Sequence, residues 1–375
     1  MLRFFGFWCF DQFFEERIMS KLEVAVVVNP GSTSTKFALF NRDGSVYDET
    51  VRHPQEEIAK FNLVSEQFDF RYGMIKQAVD KAVKEKGLKV VGSVGRGGPV
   101  KPLEGGTYRV NKSLIDDLTS CKYANHASNL GGLIAHKIAE DYGLSESYIV
   151  DPVTTDNMWD KARLSGLPRI ERACRVHALN IKAVARKIAE KNGDDFYKAN
   201  FVVAHLGGGI PVAALEGGKI VDVNDGLLGM GPFSLERAGA LPLRGVMKLC
   251  YSKPEAEVKK IFSSESGFKA YIGTNDFRTI EEKVVAGDPE TLKVYEAFKY
   301  QIAKEIGSYC AALKGKVDGI IITGGCAYFK AFVKELEEYV GWMAPVFSYP
   351  GENELDALAD GAFRVIDGKE VPKEY

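Results

Sequence analysis

Four apolar runs in this chain each end in a glycine-rich turn, and this pairing constrains the fold more than any other feature. Residues 22–28 are a nearly continuous β-branched run stopped by Pro30-Gly31. Residues 89–94 lead into Gly95-Arg-Gly-Gly98, residues 201–204 into His205-Leu-Gly-Gly-Gly209, and residues 317–323 into Gly324-Gly325. A strand without polar alternation is buried on both faces, so helices must cover the sheet on both sides. Glycine at the end of such a strand lets the backbone turn tightly and approach a ligand closely.

The elements between these runs fall into two series. In the first, 36–40 and 45–51 complete a meander across the turn Asn41-Arg42-Asp43-Gly44. A helix over 71–86 then places Ile75, Val79, Ala82 and Val83 on one face. A strand at 89–94, a helix over 127–142 and a strand at 148–150 follow. The second series has a helix over 177–191, a strand at 201–204 and a hairpin of 211–215 with 219–223 across Glu216-Gly217-Gly218. A long helix over 290–313, a strand at 317–323 with a helix after it, a strand at 345–349 and a helix over 354–366 complete it. Meander plus α/β units thus occurs twice, which predicts two similar α/β domains facing each other across a cleft. Ligands of α/β sheets bind at strand ends of this kind. A chain of 375 residues, 45% of them hydrophobic, suits two domains of ordinary size.

Composition removes several function classes. Lys and Arg number 49 against 51 Asp and Glu, a net charge of −2, so nothing points to nucleic acid or an anionic membrane. Cysteines at 9, 121, 174, 250, 310 and 326 form no CxxC pair, so they signal neither a zinc site nor a disulfide framework and fit a reducing cytoplasm. The longest uncharged stretch, 201–215, is shorter than the roughly 18 apolar residues of a spanning helix. The Phe-rich start has a short apolar run from 4 to 10, acids directly after it (Asp11, Glu15, Glu16) and no small-residue cleavage site, which argues against a signal peptide. Met19 stands just before the first strand, so residues 1–18 read as an N-terminal extension dispensable for the fold.

Several constellations carry chemistry. Asn29-Pro-Gly-Ser-Thr-Ser-Thr-Lys36 is not a Walker loop, because no glycine precedes Lys36 and a strand follows. Its hydroxyls, glycine turn and lysine suit phosphate oxygens, with Asn29, Ser32, Ser34 and Lys36 as candidate contacts. A polar hairpin turn is the simpler alternative. Arg96, between glycines at a strand end, can grip a carboxylate or phosphate in bidentate fashion. Asp151 follows a strand and can orient a reacting group or reach Mg²⁺ through water, although a turn or cap role is common for such an Asp. His205 opens the run Gly207, Gly208, Gly209, whose backbone can meet phosphate closely. Gly324-Gly325 between strand and helix offers the same approach to a nucleotide. His177 in Arg175-Val-His-Ala-Leu-Asn180 and Arg237 in Ser234-Leu-Glu-Arg237 would by themselves read as structural or exposed.

Asn-x-Gly-Ser-x-Ser-x-Lys after an N-terminal strand resembles the phosphate loop of acetate and butyrate kinases, a family within the superfamily of sugar kinases, Hsp70 and actin. The resemblance runs from about residue 22 to 370. Lys101-Pro-Leu-Glu-Gly-Gly-Thr-Tyr-Arg-Val-Asn111, His126-Ala-Ser-Asn-Leu130 and Ala204-His-Leu-Gly-Gly-Gly209 are more similar to butyrate than to acetate kinases. It implies two actin-like (ribonuclease H-like) α/β domains flanking an interdomain active-site cleft, with domains at 19–152 plus 358–375 and at 153–357.

The resemblance also implies reversible phosphoryl transfer from ATP to butyrate, giving butyryl phosphate and ADP, with ATP/ADP and Mg²⁺ as cofactors. It assigns His177 and Arg237 to the transferring phosphoryl group, Asp151 to the acceptor or metal water, and Asp276 and Arg278, in Asp276-Phe-Arg278, to ribose and base. Asn29 and Glu354, in Glu352-Asn-Glu-Leu-Asp356, fall to Mg²⁺. Where acetate kinases read Arg-Val-Val-His-Gly-Gly, Ser93 stands at their Arg and Gly95 at the second Val. Arg96 is then a shifted substitute, and Gly95 is expected to open the acyl pocket for a longer chain. Isobutyrate, propionate or acetate are alternative substrates, and a nucleotide-dependent regulatory or binding protein is an alternative of another class. Arg96 together with Arg237 favours the kinase. A cytoplasmic homo-oligomer, a dimer or larger, is expected.

Overall fold

The computed structural model describes residues 21–375; the extension expected at residues 1–18 lies outside them. The chain forms two compact units. The first comprises residues up to Val100, Gly106–Val150 and Leu358–Tyr375, and the second comprises Lys101–Gly105 and Asp151–Ala357.

In the first unit β1 (Glu23–Pro30) is central, and Val24, Ala25, Val26, Val27 and Val28 have no exposed surface. β2 (Ser34–Asn41) and β3 (Gly44–Arg52) run antiparallel to it as the predicted meander. Helix α1 (Phe68–Glu85) leads into β4 (Lys89–Arg96), which lies parallel to β1. A short β5 (Thr107–Arg109), which the sequence reading missed, precedes α2 (Lys112–Thr119), α3 (Asn129–Asp141) and β6 (Tyr148–Val150). The sheet order is β3-β2-β1-β4-β6-β5, with β6 parallel to β4 and β5 antiparallel at the edge.

The second unit repeats this plan. After α4 (Ala178–Asn192), β7 (Asn200–His205), β8 (Val212–Glu216) and β9 (Lys219–Val223) form a second antiparallel meander. Helices α5 (Phe277–Val285) and α6 (Pro289–Ala312) lead to β10 (Gly319–Gly324). A 3₁₀ turn, Gly325–Tyr328, stands between β10 and α7 (Lys330–Val340), and β11 (Val346–Pro350) follows; α8 (Glu354–Ile366) then returns the chain to the first unit. The order β9-β8-β7-β10-β11, with β7, β10 and β11 parallel, reproduces β3-β2-β1-β4-β6 strand for strand.

Period-two alternation along β7 explains how this sheet is covered. Val202 and Ala204 face the α6 side, packed with Phe298, Ile302 and Ile306. Phe201 and Val203 face the α4 side, with Ile181, Val184 and Ile188. Burying both faces sets the ends of β7 and β10, and their glycines, at one end of the sheet. Among the described residues no helix is long and apolar enough to cross a membrane.

Candidate active site

In the first unit the turn after β1 is closed by Gly31 N–H donating to Ser34 O at 2.7 Å, with Asn29 opposite Lys36 across the hairpin. Ser32 and Lys36 are exposed and Ser34 half-buried. The turn is fixed from below by Arg71, which is 1% exposed. Its guanidinium donates to Gly31 O at 2.7 Å, to Ser32 O at 2.8 Å and to Gln67 Oε1 at 2.9 Å. Thr35 and His53 are buried beneath the same turn, Oγ1 to Nε2 2.8 Å.

Arg96 ends β4 and is buried. Its glycine neighbours serve packing. A Cβ on Gly95 would overlap the Gly131 carbonyl and stand 2.8 Å from Gly132 N, and one on Gly98 would stand 2.8 Å from Asn129 Cα. The glycines therefore let α3 lie directly on the end of β4. This corrects the expectation that Gly95 opens an acyl pocket: its missing side chain leaves room for a helix.

In the second unit the glycines after β7 are held by the segment that carries Arg237. Ser234 Oγ donates to Gly208 O at 2.6 Å and accepts from Arg237 N–H at 3.0 Å. Arg237 Nη1 donates to Gly226 O, and its buried Nε finds no acceptor among the described residues. A Cβ on Gly209 would overlap this guanidinium. Arg237 is thus half-buried against the loop.

His177 caps α4 by accepting from Ile181 N–H at 3.0 Å, and its ring stacks on that of His205 with centroids 4.6 Å apart. The acid set against His205 is Glu352, Oε1 to Nε2 3.2 Å, two residues before Glu354 at the start of α8.

Gly207, Asp276, Arg278 and Gly325 line one cavity of about 580 Å³, together with Phe277, Glu281, Tyr328 and Phe329. That volume lies within the usual range for small-molecule sites. Asp276 also caps α5, accepting from Arg278 N–H at 3.1 Å and from Thr279 Oγ1 at 3.1 Å. A Cβ on Gly325 would meet nothing, so backbone is open there, whereas Gly324, at φ 90°, packs on Leu206.

Asp151 is placed differently. It is buried, takes φ 38°, and its Oδ1 accepts from buried Lys182 Nζ at 2.5 Å.

The family model described as the acetokinase family matches residues 170–340. Probable butyrate kinases from Clostridium botulinum (strain Alaska E43 / Type E3) and Listeria monocytogenes serotype 4b (strain CLIP80459) are 46% and 47% identical to the chain, over 93% of it and 99% of their own length. The chain belongs to the acetokinase family. An acetate kinase from Porphyromonas gingivalis superposes with a TM-score of 0.71 at 18% identity, covering 92% of this chain and all of that one. A propionate kinase from Francisella tularensis gives 0.67 at 19%, covering 91% and 99%. These structures support the actin-like α/β fold that the duplicated sheet order displays.

An acetokinase uses ATP or ADP, and the residues present fit a nucleotide. The cavity joins Gly207 and the open backbone of Gly325 to the polar side chains of Asp276 and Arg278, and Arg237 Nε finds no acceptor among the described residues. Asn29 in the first unit and Glu354 in the second each carry an oxygen of the type Mg²⁺ takes.

Arg71, Lys182 and Glu352 were not singled out from the sequence. The first two had a signal. Arg71 shares the buried stripe of Ile75 and Val79, and Lys182 shares that of Ala178, Ala185 and Ala189. A charge on an apolar stripe must be paired.

Proposed function

We propose that this acetokinase-family chain is an Mg²⁺-dependent carboxylate kinase of the cytoplasm that moves the γ-phosphate of ATP reversibly onto butyrate. The observation that carries the reading is the similarity to butyrate kinases across 93% of the chain. The cavity lined by Gly207, Asp276, Arg278 and Gly325 is consistent with it. Isobutyrate, propionate and acetate compete as substrates, because one methylene is worth only about 1–3 kcal/mol in a pocket.

The residues act mainly by charge and position. The acceptor carboxylate is already ionised near neutral pH, so no strong base has to remove a proton. In this reading Arg96 holds that carboxylate. Backbone N–H groups of the glycines after β7 receive phosphate oxygens, while Asp276, Arg278 and Gly325 hold nucleoside. Arg237 and His177 stabilise charge on the equatorial oxygens of the transferring group. Asn29 and Glu354 would hold Mg²⁺, which supplies charge neutralisation to the phosphates when bound. Asp151 acts at one remove, through its pair with Lys182.

Self-association belongs to the same reading. A helix, Leu243–Ser252, has no buried residue and exposes Leu243, Met247 and Tyr251 in one stripe, an apolar surface suited to a second copy.

Trapping acyl phosphate as hydroxamate, with ATP and a panel of short acids, tests the activity. Butyrate or isobutyrate should give the highest kcat/KM. Absence of acyl phosphate with every acid would overturn the reading.

A further inference from the structure

One cluster of side chains is only partly used by this mechanism. A ring nitrogen of His177, a ring nitrogen of His205 and a carboxylate oxygen of Glu352 all lie within 4.8 Å of one another. His205 is 1% exposed, and both of its nitrogens face oxygen. Nδ1 is 3.2 Å from Asn180 Oδ1, and Nε2 is 3.2 Å from Glu352 Oε1. A neutral imidazole has a single N–H. That N–H serves only one of the two oxygens, so the Nε2–Glu352 contact is satisfied either by a proton on Nε2 or by a cation held between the ring and the carboxylate. A histidine that ligates a metal is held in the same way, its other nitrogen donating to a fixed oxygen.

We propose that His177, His205 and Glu352 form a binding site for a divalent transition-metal ion of the zinc class. Two imidazoles and one carboxylate are a ligand set that open zinc sites use, with a fourth position left to water or substrate. Mg²⁺ takes oxygen ligands, so this site is chemically distinct from the one assigned to Asn29 and Glu354. His205 is buried and oriented by Asn180, which makes it the fixed ligand. His177 and Glu352 are at the surface. Rotation of the His177 ring can bring a nitrogen onto the ion, and solvent reaches the remaining position.

The place of the site gives it a consequence. A Cβ on Gly207 would stand 3.6 Å from His205 Nε2 and 3.9 Å from Glu352 Oε1. Gly207 also lines the cavity assigned to nucleotide. An ion held here therefore sits beside the phosphate-binding backbone, and zinc should inhibit the kinase. Inhibition rests on the kinase reading, whereas binding does not.

The test uses the full chain without nucleotide. Zn²⁺ is titrated by calorimetry, and Co²⁺ serves as a spectroscopic probe of coordination. One Zn²⁺ per chain is expected, and Co²⁺ should give the visible ligand-field bands of a four- or five-coordinate site that excess Mg²⁺ does not erase. His177→Gln and Glu352→Gln, both at exposed positions, should keep the melting temperature and each weaken Zn²⁺ by about tenfold or more. No Zn²⁺ binding by the unaltered chain overturns the proposal. So does affinity unchanged in both variants, which would place the metal on other ligands such as cysteines. Acyl phosphate formation is measured separately, so failure of either reading is seen by itself.

Discussion

The α-carbon of Gly209 lies against the guanidinium of Arg237: a side chain at Gly209 would overlap Nη1 and stand 3.2 Å from Cζ. The arginine is therefore held along the backbone of this glycine run by Gly226 O, and its Nε finds no acceptor among the described residues. In the proposed mechanism this cation stabilises the transferring phosphoryl group more than bound ATP, because charge on the equatorial oxygens peaks in transfer. Arg237→Ala should lower kcat by about 10³-fold or more, with ATP affinity nearly unchanged, since Asp276, Arg278 and Gly325 remain. Arg237→Lys should recover little, because it lacks the planar fork. Steady-state kinetics with a separate measurement of nucleotide binding checks both. Near-normal kcat in Arg237→Ala would remove Arg237 from the chemistry.

Gly95→Val tests the contact between β4 and α3. The Gly131 carbonyl occupies the space a Cβ would need, and backbone on both sides cannot yield as a flexible side chain would. The substitution should destabilise by about 3 kcal/mol or more, read as a lower urea midpoint. The ratio of kcat/KM for butyrate and acetate should not change in protein that still folds. A shift of that ratio towards acetate with stability intact would restore the acyl-pocket reading of Gly95.

The duplicated fold was readable because its signals are local. β-branched runs followed by glycine gave β1, β4, β7 and β10, and both meanders followed from turn residues such as Asn41-Arg42-Asp43-Gly44. β5 was missed because three residues at a sheet edge have no period to detect. Of the candidate cavity, Gly207 and Gly325 stood out in the sequence, because consecutive glycines after a buried strand are a local signal. Partners joined only by folding were not. Lys182 lies 31 positions from Asp151 and Arg71 lies 40 from Gly31, and sequence spacing does not say which buried charges meet.

Lys182→Met should reveal how strongly the buried pair matters. Removing one partner takes the countercharge from a buried carboxylate at a non-glycine residue with φ 38°. Such losses cost about 3–5 kcal/mol, whereas replacing both partners with apolar groups is often nearly neutral. The Asp151→Leu/Lys182→Met double variant should therefore be more stable than Lys182→Met alone. Urea unfolding of the three proteins decides it: a Lys182→Met midpoint equal to that of the unaltered chain would mean the carboxylate reaches water.

His53 should make stability depend on pH. It is 4% exposed and bonded to Thr35, and burial, aided by the nearby charge of Arg71, lowers its pKa from 6.5 to about 4. In the unfolded chain the ring takes up a proton as pH falls through 6.5, while in the folded protein it stays neutral until about 4. Between these values the unfolded state binds more protons, so this contribution to stability is complete above 6.5 and shrinks as pH drops. The loss should total roughly 3 kcal/mol. His53→Gln keeps a polar partner for Thr35 without titrating, so urea midpoints measured across this window should fall less steeply in the variant. Parallel pH curves for the two proteins would show that the ring is already protonated, or reached by water, in the folded state.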